Sequence, residues 1–261
     1  MPRDARAPYD RPPSDMTIER LSRDWDELAE EDALRAVLWR DGSWELEEFL
    51  ATGEREVGAV LAAAEELGYP QARDRALDFG CGVGRLTRAL SGHFRECVGV
   101  DVSAEMVRRA QSLNADRTGC TFVVNVAPDL RRFESGSFDL ALSSKVLQHL
   151  PTRELSLAYV SELLRILRPA GIAVFQLWTG LPLRNRLQPR RRAYALLGSL
   201  GTPARVLTRL GLSPRGRGIA VPDDEVRAVI AQSGCRVVRT EPDGEWGLRY
   251  FVVAEARGTR P

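Results

Sequence analysis

Leu77-Asp-Phe-Gly-Cys-Gly-Val-Gly84 decides the fold, because a short apolar run ends there in three closely spaced glycines. Glycines let the backbone turn sharply and approach a ligand, and the helix predicted from Arg85 presents its free N–H groups to that ligand. A dinucleotide fingerprint places its third glycine or alanine where this sequence has Arg85. An NAD-dependent oxidoreductase is therefore disfavoured, and a tight turn without a ligand is the structural alternative.

Alternating strand and helix patterns surround this loop. Apolar runs predict strands at 75–79, 96–101, 121–125, 138–143 and 172–177, with helices at 85–90, 103–113 and 154–167. Such alternation predicts a mostly parallel sheet with helices on both faces. After a helix at 223–232, a closing hairpin of strands at 236–240 and 248–256 is expected to add an antiparallel strand at the sheet edge.

The totals exclude several classes of protein. The 261 residues carry 37 Lys and Arg against 36 Asp and Glu, a net charge of +1, whereas a dedicated nucleic-acid-binding protein needs a large basic excess. No apolar run is long enough to span a membrane, and the N-terminal residues lack the apolar stretch of a secretory signal. The four cysteines share no metal-like spacing, which indicates reduced thiols in a cytoplasmic protein without a metal site.

Two acidic residues accompany the glycine loop. Asp78 precedes the glycines, where a carboxylate suits a positively charged ligand group better than a pyrophosphate. Asp101 ends the second predicted strand, 21 residues after Gly80, and can accept hydrogen bonds from both hydroxyls of a ribose. This interval favours ribose binding over a role as the N-terminal charge of the next helix.

Four segments in order, residues 77–87, 99–103, 138–151 and 167–172, resemble class I S-adenosylmethionine-dependent methyltransferases. The resemblance implies a Rossmann-like, doubly wound α/β fold with a seven-stranded sheet and S-adenosylmethionine across the carboxyl ends of the first strands. It implies that the methionine part of the cofactor is surrounded by Asp78, Gly80, Cys81, Gly82 and Gly84.

The same resemblance assigns the rest of the cofactor site. It places Asp101 at the ribose, Val102 beside the adenine, and Asn125, Val126 and Ala127 along the adenine edge. Ser143 and Ser144 would face the methionine amino group and the reaction centre. The segment around Trp25 resembles the helical N-terminal cap of small-molecule members, whose aromatic residues close over the cofactor. An aromatic face beside a sulfonium is favourable, because the ring quadrupole attracts cations.

Two candidate catalytic residues follow the fourth predicted strand. His149 could remove a proton from the acceptor near neutral pH, and the alternative is that it only orients a loop. Lys145, the only lysine in the chain, could contact an anionic acceptor or bind a backbone carbonyl.

The predicted organisation is a mobile tail at 1–15, a helical cap at 16–72, a methyltransferase core at 73–180, a basic insert or lid at 181–220, and a closing helix and hairpin at 221–261. Residues 15–66 contain 16 acids against five arginines, a net of −11, whereas residues 181–218 contain nine arginines and no acid. The insert is interpreted either as a lid whose arginines pair with the acidic cap or as a binding site for an anionic acceptor.

We therefore expect a cytoplasmic enzyme that methylates a small molecule, with oxygen favoured over nitrogen or carbon as the methylated atom. The arginine-dominated composition suggests a GC-rich bacterial genome, where such enzymes often serve specialised metabolism. The alternatives are a macromolecular acceptor and a cofactor-binding protein that catalyses a non-methylating reaction or regulates. Nucleic-acid and membrane partners are not expected, and both a monomer and a homodimer stay open.

Overall fold

One seven-stranded mixed sheet forms the centre of the molecule, with the strand order β3-β2-β1-β4-β5-β7-β6. The computed structural model describes residues 17–40, 42–180, 189–212, 219–244 and 247–254, so the predicted tail at 1–15 lies outside the described residues. The strands are β1 (Arg75–Phe79), β2 (Glu96–Asp101), β3 (Cys120–Val124), β4 (Phe138–Ser143), β5 (Leu167–Trp178), β6 (Cys235–Asp243) and β7 (Gly247–Ala254). The first five strands are parallel and β7 is antiparallel to both of its neighbours, which confirms the predicted fold class.

Helices cover both faces of this sheet. The described helices are α1 (Ile18–Val37), α2 (Leu46–Glu66), α3 (Arg85–Leu90), α4 (Ala104–Leu113), α5 (Arg153–Arg165), α6 (Pro189–Ser199), α7 (Ala204–Arg209) and α8 (Asp223–Gln232). A single 3-10 turn, Leu147–His149, lies between β4 and α5 in the described chain. Ser103 begins α4, because its hydroxyl oxygen accepts the Met106 N–H at 3.0 Å.

Three details differ from the sequence prediction. Leu167 pairs with β4, so β5 begins at this predicted last residue of the helix and includes Arg168–Gly171, which were expected to separate helix and strand. Asn125 follows β3 instead of ending it. The first helix, α1, contains a break at Asp32 (φ −162°, ψ 94°), whose carboxylate accepts the Arg35 N–H at 3.0 Å and caps the second part of the helix.

The core has two layers because side chains alternate between the faces of the sheet. Along β4, Ala141 packs toward the face covered by α5 and α8, whereas Leu140 and Leu142 pack toward the face covered by α2 and α3. Every residue of β4 is buried, as expected for a central strand covered on both faces. The first helix, α1, packs instead against α4, which begins directly after β2.

Among the described residues, no helix is long and apolar enough to cross a lipid bilayer. The same part of the chain contains no group of three or more His, Cys, Asp or Glu side chains that could hold a metal ion. All four cysteines are free thiols.

Candidate active site

A cavity of about 120 Å³ lies beyond the carboxyl ends of β1, β2, β3 and β4, where the loops after these strands meet α1. Open α/β sheets bind ligands at this edge. Nine predicted site residues line it: Trp25, Gly80, Gly82, Asp101, Val102, Asn125, Ser144, Lys145 and His149. Eleven further residues complete the lining: Ile18, Leu21, Val37, Leu38, Phe79, Arg85, Val100, Met106, Val146, Leu150 and Tyr159.

The glycine loop wraps around the end of β2. The N–H groups of Gly80 and Cys81 both donate to the Val100 carbonyl, at 2.7 and 3.0 Å. Gly80 and Gly82 adopt left-handed φ values of +78° and +54°, which side chains with a Cβ rarely accept. A Cβ at Gly82 would lie 2.6 Å from Cγ2 of Val37 on α1. Glycine therefore keeps the loop and the cap close together without filling the cavity.

Asp101 is fixed from two sides at the end of β2. Its Oδ2 accepts the Gly82 N–H at 2.8 Å, and its Oδ1 accepts the Ser103 N–H at 2.9 Å. Burial raises the pKa of Asp101 above its ordinary value, and the backbone hydrogen bonds oppose that shift. A carboxylate oxygen can accept more than one hydrogen bond, so Asp101, which lines the cavity, can still accept hydrogen bonds from a ligand there.

Asp78 lies beneath the loop and not in the cavity lining, unlike the expectation from the resemblance. Its buried carboxylate accepts the Thr87 hydroxyl at 2.7 Å, which ties the start of α3 to β1. Burial raises the pKa of Asp78 to about 6. The alternation of β1 side chains explains this placement, since Asp78 points to one face of the sheet while the loop opens at the strand end.

Five other predicted residues also stand outside the lining: Cys81, Gly84, Val126, Ala127 and Ser143. Cys81 is buried, and burial raises the pKa of its thiol well above the ordinary value. A Cβ at Gly84 would meet the Phe122 ring at 2.6 Å, so this glycine serves packing against β3. Val126 is 48% exposed and does not line the cavity.

The loop after β3 is ordered by Asn125 and Tyr159. The Asn125 side-chain amide donates to the carbonyls of Ala127 and Asp129, both at 3.1 Å, and the Tyr159 hydroxyl also donates to Ala127. Burial raises the pKa of Tyr159 to about 12, so its hydroxyl remains protonated near neutral pH. The sequence does not predict Tyr159 as a site residue, because nothing in the spacing of α5 shows which of its side chains reaches the cavity.

Arg85 is a buried charge that sequence reasoning did not assign to the site. Its guanidinium, 4% exposed, pairs with Glu56 at 2.8 Å and donates to the Thr52 hydroxyl at 3.2 Å. Glu56 also accepts the Ser144 hydroxyl. Burial favours the neutral form of Glu56, but the charge of Arg85 and these hydrogen bonds hold its pKa below the ordinary value. Among the described residues, the Nε–H of Arg85 has no hydrogen-bond partner.

Lys145 and His149 also line the cavity. Lys145 adopts a left-handed φ of +60°, and its N–H donates to Oε1 of buried Gln176 at 3.1 Å. Such a conformation is uncommon outside glycine and is concentrated at functional sites. The rings of His149 and Trp25 meet edge to face, with centroids 6.3 Å apart and planes inclined by 76°. The fold therefore brings Trp25, predicted for the cap, into contact with His149, a predicted catalytic residue.

The cap helix α1 is docked beside Asp101. Oδ1 of Asp26 accepts the Ser103 hydroxyl at 2.6 Å and the Glu105 N–H at 3.0 Å, at the N-terminus of α4. A negative charge is favoured there because the first N–H groups of a helix lack intrahelical partners. The Ser22 hydroxyl donates to the Val102 carbonyl at 2.9 Å. The cap is therefore attached to the strand end that carries Asp101.

The described part of the basic insert reaches the cap through a buried tyrosine. Of its nine arginines, Arg209 alone has a described side chain, so the predicted pairing of the others lies outside the described residues. Asp24 of α1 lies beside Tyr194 of α6, and both side chains are buried. Burial raises the pKa of Asp24 to about 6.

Comparison with known proteins agrees with this geometry. Residues 77–175 match the family model of a methyltransferase domain. An uncharacterised methyltransferase of Bacillus subtilis, YcgJ, is 30% identical over 138 residues, which are 52% of this chain and 49% of that protein. A ubiquinone biosynthesis O-methyltransferase of Burkholderia vietnamiensis is 30% identical over 103 residues, 39% of this chain and 43% of that protein. The matched part thus spans less than half the length of each of these relatives.

A solved structure shares the fold over most of the chain. Magnesium protoporphyrin IX methyltransferase from Synechocystis PCC 6803, with bound S-adenosylhomocysteine, superposes with a TM-score of 0.58. The alignment covers 91% of this chain and 100% of that one, at 21% sequence identity. At this identity the likeness concerns the architecture and not the acceptor.

Proposed function

We propose that this chain transfers a methyl group to an oxygen atom of a small-molecule acceptor, because it belongs to the class I S-adenosylmethionine-dependent methyltransferases. One observation carries the proposal. One cavity is lined by Gly80 and Gly82 of the glycine loop, by Asp101, by apolar residues of the cap helix and by His149. Methyl transfer needs donor and acceptor held in line and screened from water, and this lining can serve both needs.

The lining residues fit the chemical groups of S-adenosylmethionine. Asp101 offers a carboxylate to the ribose hydroxyls, and Gly82 leaves space where a Cβ would collide. Arg85 offers a buried positive charge and a spare Nε–H to the methionine carboxylate. Val102 and Met106 provide apolar surface for the adenine. When bound, the cofactor supplies an electrophilic methyl group on its sulfonium sulfur.

The cap residues align the reactants and exclude water. Leu21 and Trp25 cover the cavity, and the hydrogen bonds of Ser22 and Asp26 keep α1 in place. The ring of Trp25 presents an aromatic group that attracts a sulfonium. The cap residues that line the cavity are uncharged, so the cap places no competing positive charge beside the sulfonium.

His149 is assigned to the proton that leaves the acceptor hydroxyl. It lines the cavity next to Trp25. An imidazole can take up such a proton near neutral pH, which increases the nucleophilicity of the oxygen. Lys145 lines the same cavity, is exposed, and is suited to an anionic group on the acceptor. An acceptor with a hydroxyl and a negative group would use both residues.

A transfer assay tests the proposal. The chain is incubated with methyl-labelled S-adenosylmethionine and small acceptors that present a hydroxyl, an amine or an activated carbon. We expect label on a hydroxyl oxygen, and strongly reduced label with Asp101→Ala. The matched control is Asp116→Asn, since that exposed carboxylate pairs with Arg88 away from the cavity.

Each other outcome of this assay has a defined meaning. Label on nitrogen or carbon would contradict the assignment of oxygen as the methylated atom. Cofactor binding without any labelled product would contradict methyl transfer and favour a non-methylating reaction. A separate titration with RNA tests the small-molecule acceptor, which RNA binding that weakens steeply as salt increases would contradict.

A further inference from the structure

The insert hairpin, defined as α6 and α7 with the loop between them, carries an exposed aliphatic face. Its members are Leu196, Leu200, Val206 and Leu210, which are 63%, 75%, 40% and 67% exposed. Within each pair the residues are four positions apart, so they share one side of a helical turn. Aliphatic side chains concentrated on so short a segment mark an interaction surface, whereas single exposed ones are ordinary.

The other side of the insert hairpin is already occupied. Tyr194 and Leu207 form a small buried cluster between its helices. Tyr194 also lies beside Asp24 of α1, and a Cβ at Gly198 would collide with the Arg20 guanidinium. The hairpin is therefore fixed to the cap helix by one side, and the aliphatic face is left on the other.

Charge indicates what this face binds. Residues 181–218 contain nine arginines and no Asp or Glu, and Arg209, next to Leu210, is exposed. Helices that combine aliphatic side chains with basic charge bind the headgroup region of anionic bilayers. A protein partner would more often be anchored by Trp or Tyr, because Leu and Val are under-represented among the residues that dominate such interfaces.

We infer that the insert hairpin docks this protein on an anionic lipid surface. The aliphatic face enters the boundary between headgroups and acyl chains, and the exposed Arg209 beside it contacts lipid phosphates. The binding is peripheral and does not depend on methyl transfer. Because α1 holds the hairpin and also lines the cavity through Leu21 and Trp25, docking would keep the cavity close to the lipid surface.

Vesicle sedimentation of the full chain tests the inference. We expect sedimentation with vesicles of phosphatidylcholine plus phosphatidylglycerol, weakened by salt, and none with phosphatidylcholine alone. Replacing both leucines, Leu200→Ser with Leu210→Ser, should lower vesicle binding by about tenfold or more, because two inserted apolar side chains are lost. Leu46→Ser is the matched control, since Leu46 is 42% exposed on α2 outside the insert, and it should bind as the unmodified chain does.

The outcomes separate this inference from the proposed enzymatic function. Thermal unfolding verifies that each variant is folded and needs no cofactor, so a failure of the transfer assay leaves the vesicle result intact. The lipid assignment is overturned if anionic vesicles do not bind, or if binding survives in the double leucine variant. Binding of an acidic protein in place of vesicles would also overturn it and would make the face a protein-docking surface.

Discussion

Asp101→Ala should remove most of the affinity for the cofactor. The carboxylate lies in the cavity wall, held by the N–H groups of Gly82 and Ser103 at 2.8 and 2.9 Å. A hydrogen bond to a charged group contributes about 1.5–3 kcal/mol, so losing those to two ribose hydroxyls costs about 3–6 kcal/mol of binding. That loss corresponds to a rise in Kd of roughly 10²–10⁴-fold. The two N–H groups would also lose their acceptor, which loosens the glycine loop.

Isothermal titration with S-adenosylhomocysteine measures this effect directly. Asp101→Asn retains one side-chain oxygen and should bind with intermediate affinity. Asp116→Asn should bind as the unmodified chain does, because its carboxylate pairs with Arg88 outside the cavity. A folded Asp101→Ala variant with unchanged Kd would refute the reasoning and remove Asp101 from the ribose site.

Three further predictions concern catalysis, the loop and a buried acid. His149→Ala should lower kcat by about 10²–10⁴-fold with little change in acceptor KM, and a raised KM with preserved kcat would instead assign His149 to positioning. Gly82→Ala should weaken the binding of S-adenosylhomocysteine measured by titration, because the added Cβ would lie 2.6 Å from Val37. Gly234→Ala is the control: it also places a Cβ at a left-handed φ, but no atom lies within 4 Å of that Cβ, so binding should not change. Because the folded-state pKa of Asp78 is about 6 against an ordinary value of 3.8, its contribution to stability is present at low pH and lost as pH rises through 6. Denaturant unfolding should therefore show Asp78→Asn gaining stability relative to the unmodified chain between about pH 4 and pH 7, by up to about 3 kcal/mol, and a pH-independent difference would contradict this.

The parts of the fold that depend on local pattern could be predicted from the sequence. Buried parallel strands are continuous apolar runs, and the glycines after β1 identify the strand whose end carries the site. Asp101 follows from the same pattern, because its interval from the loop places it at the end of the neighbouring strand. These inferences need only the backbone path and not the packing of distant side chains.

The parts that depend on distant contacts could not be predicted. The network of Glu56, Arg85 and Ser144 joins residues 29 and 88 positions apart, and no spacing rule connects them. Asp78 was expected beside the ligand, but its burial under Thr87 depends on how α3 packs on β1. The arginines of the insert were visible in the sequence, whereas the exposed aliphatic side of its two short helices required the structure.

Cofactor choice tests the central claim most directly, since the whole account depends on what the cavity beside the glycine loop accepts. The measurement is a titration of the full chain with S-adenosylmethionine and, separately, with NADH. We predict one S-adenosylmethionine bound per chain, strongly weakened in Asp101→Ala, and no binding of NADH. Preferential binding of NADH, or S-adenosylmethionine binding that is indifferent to Asp101, would contradict the account.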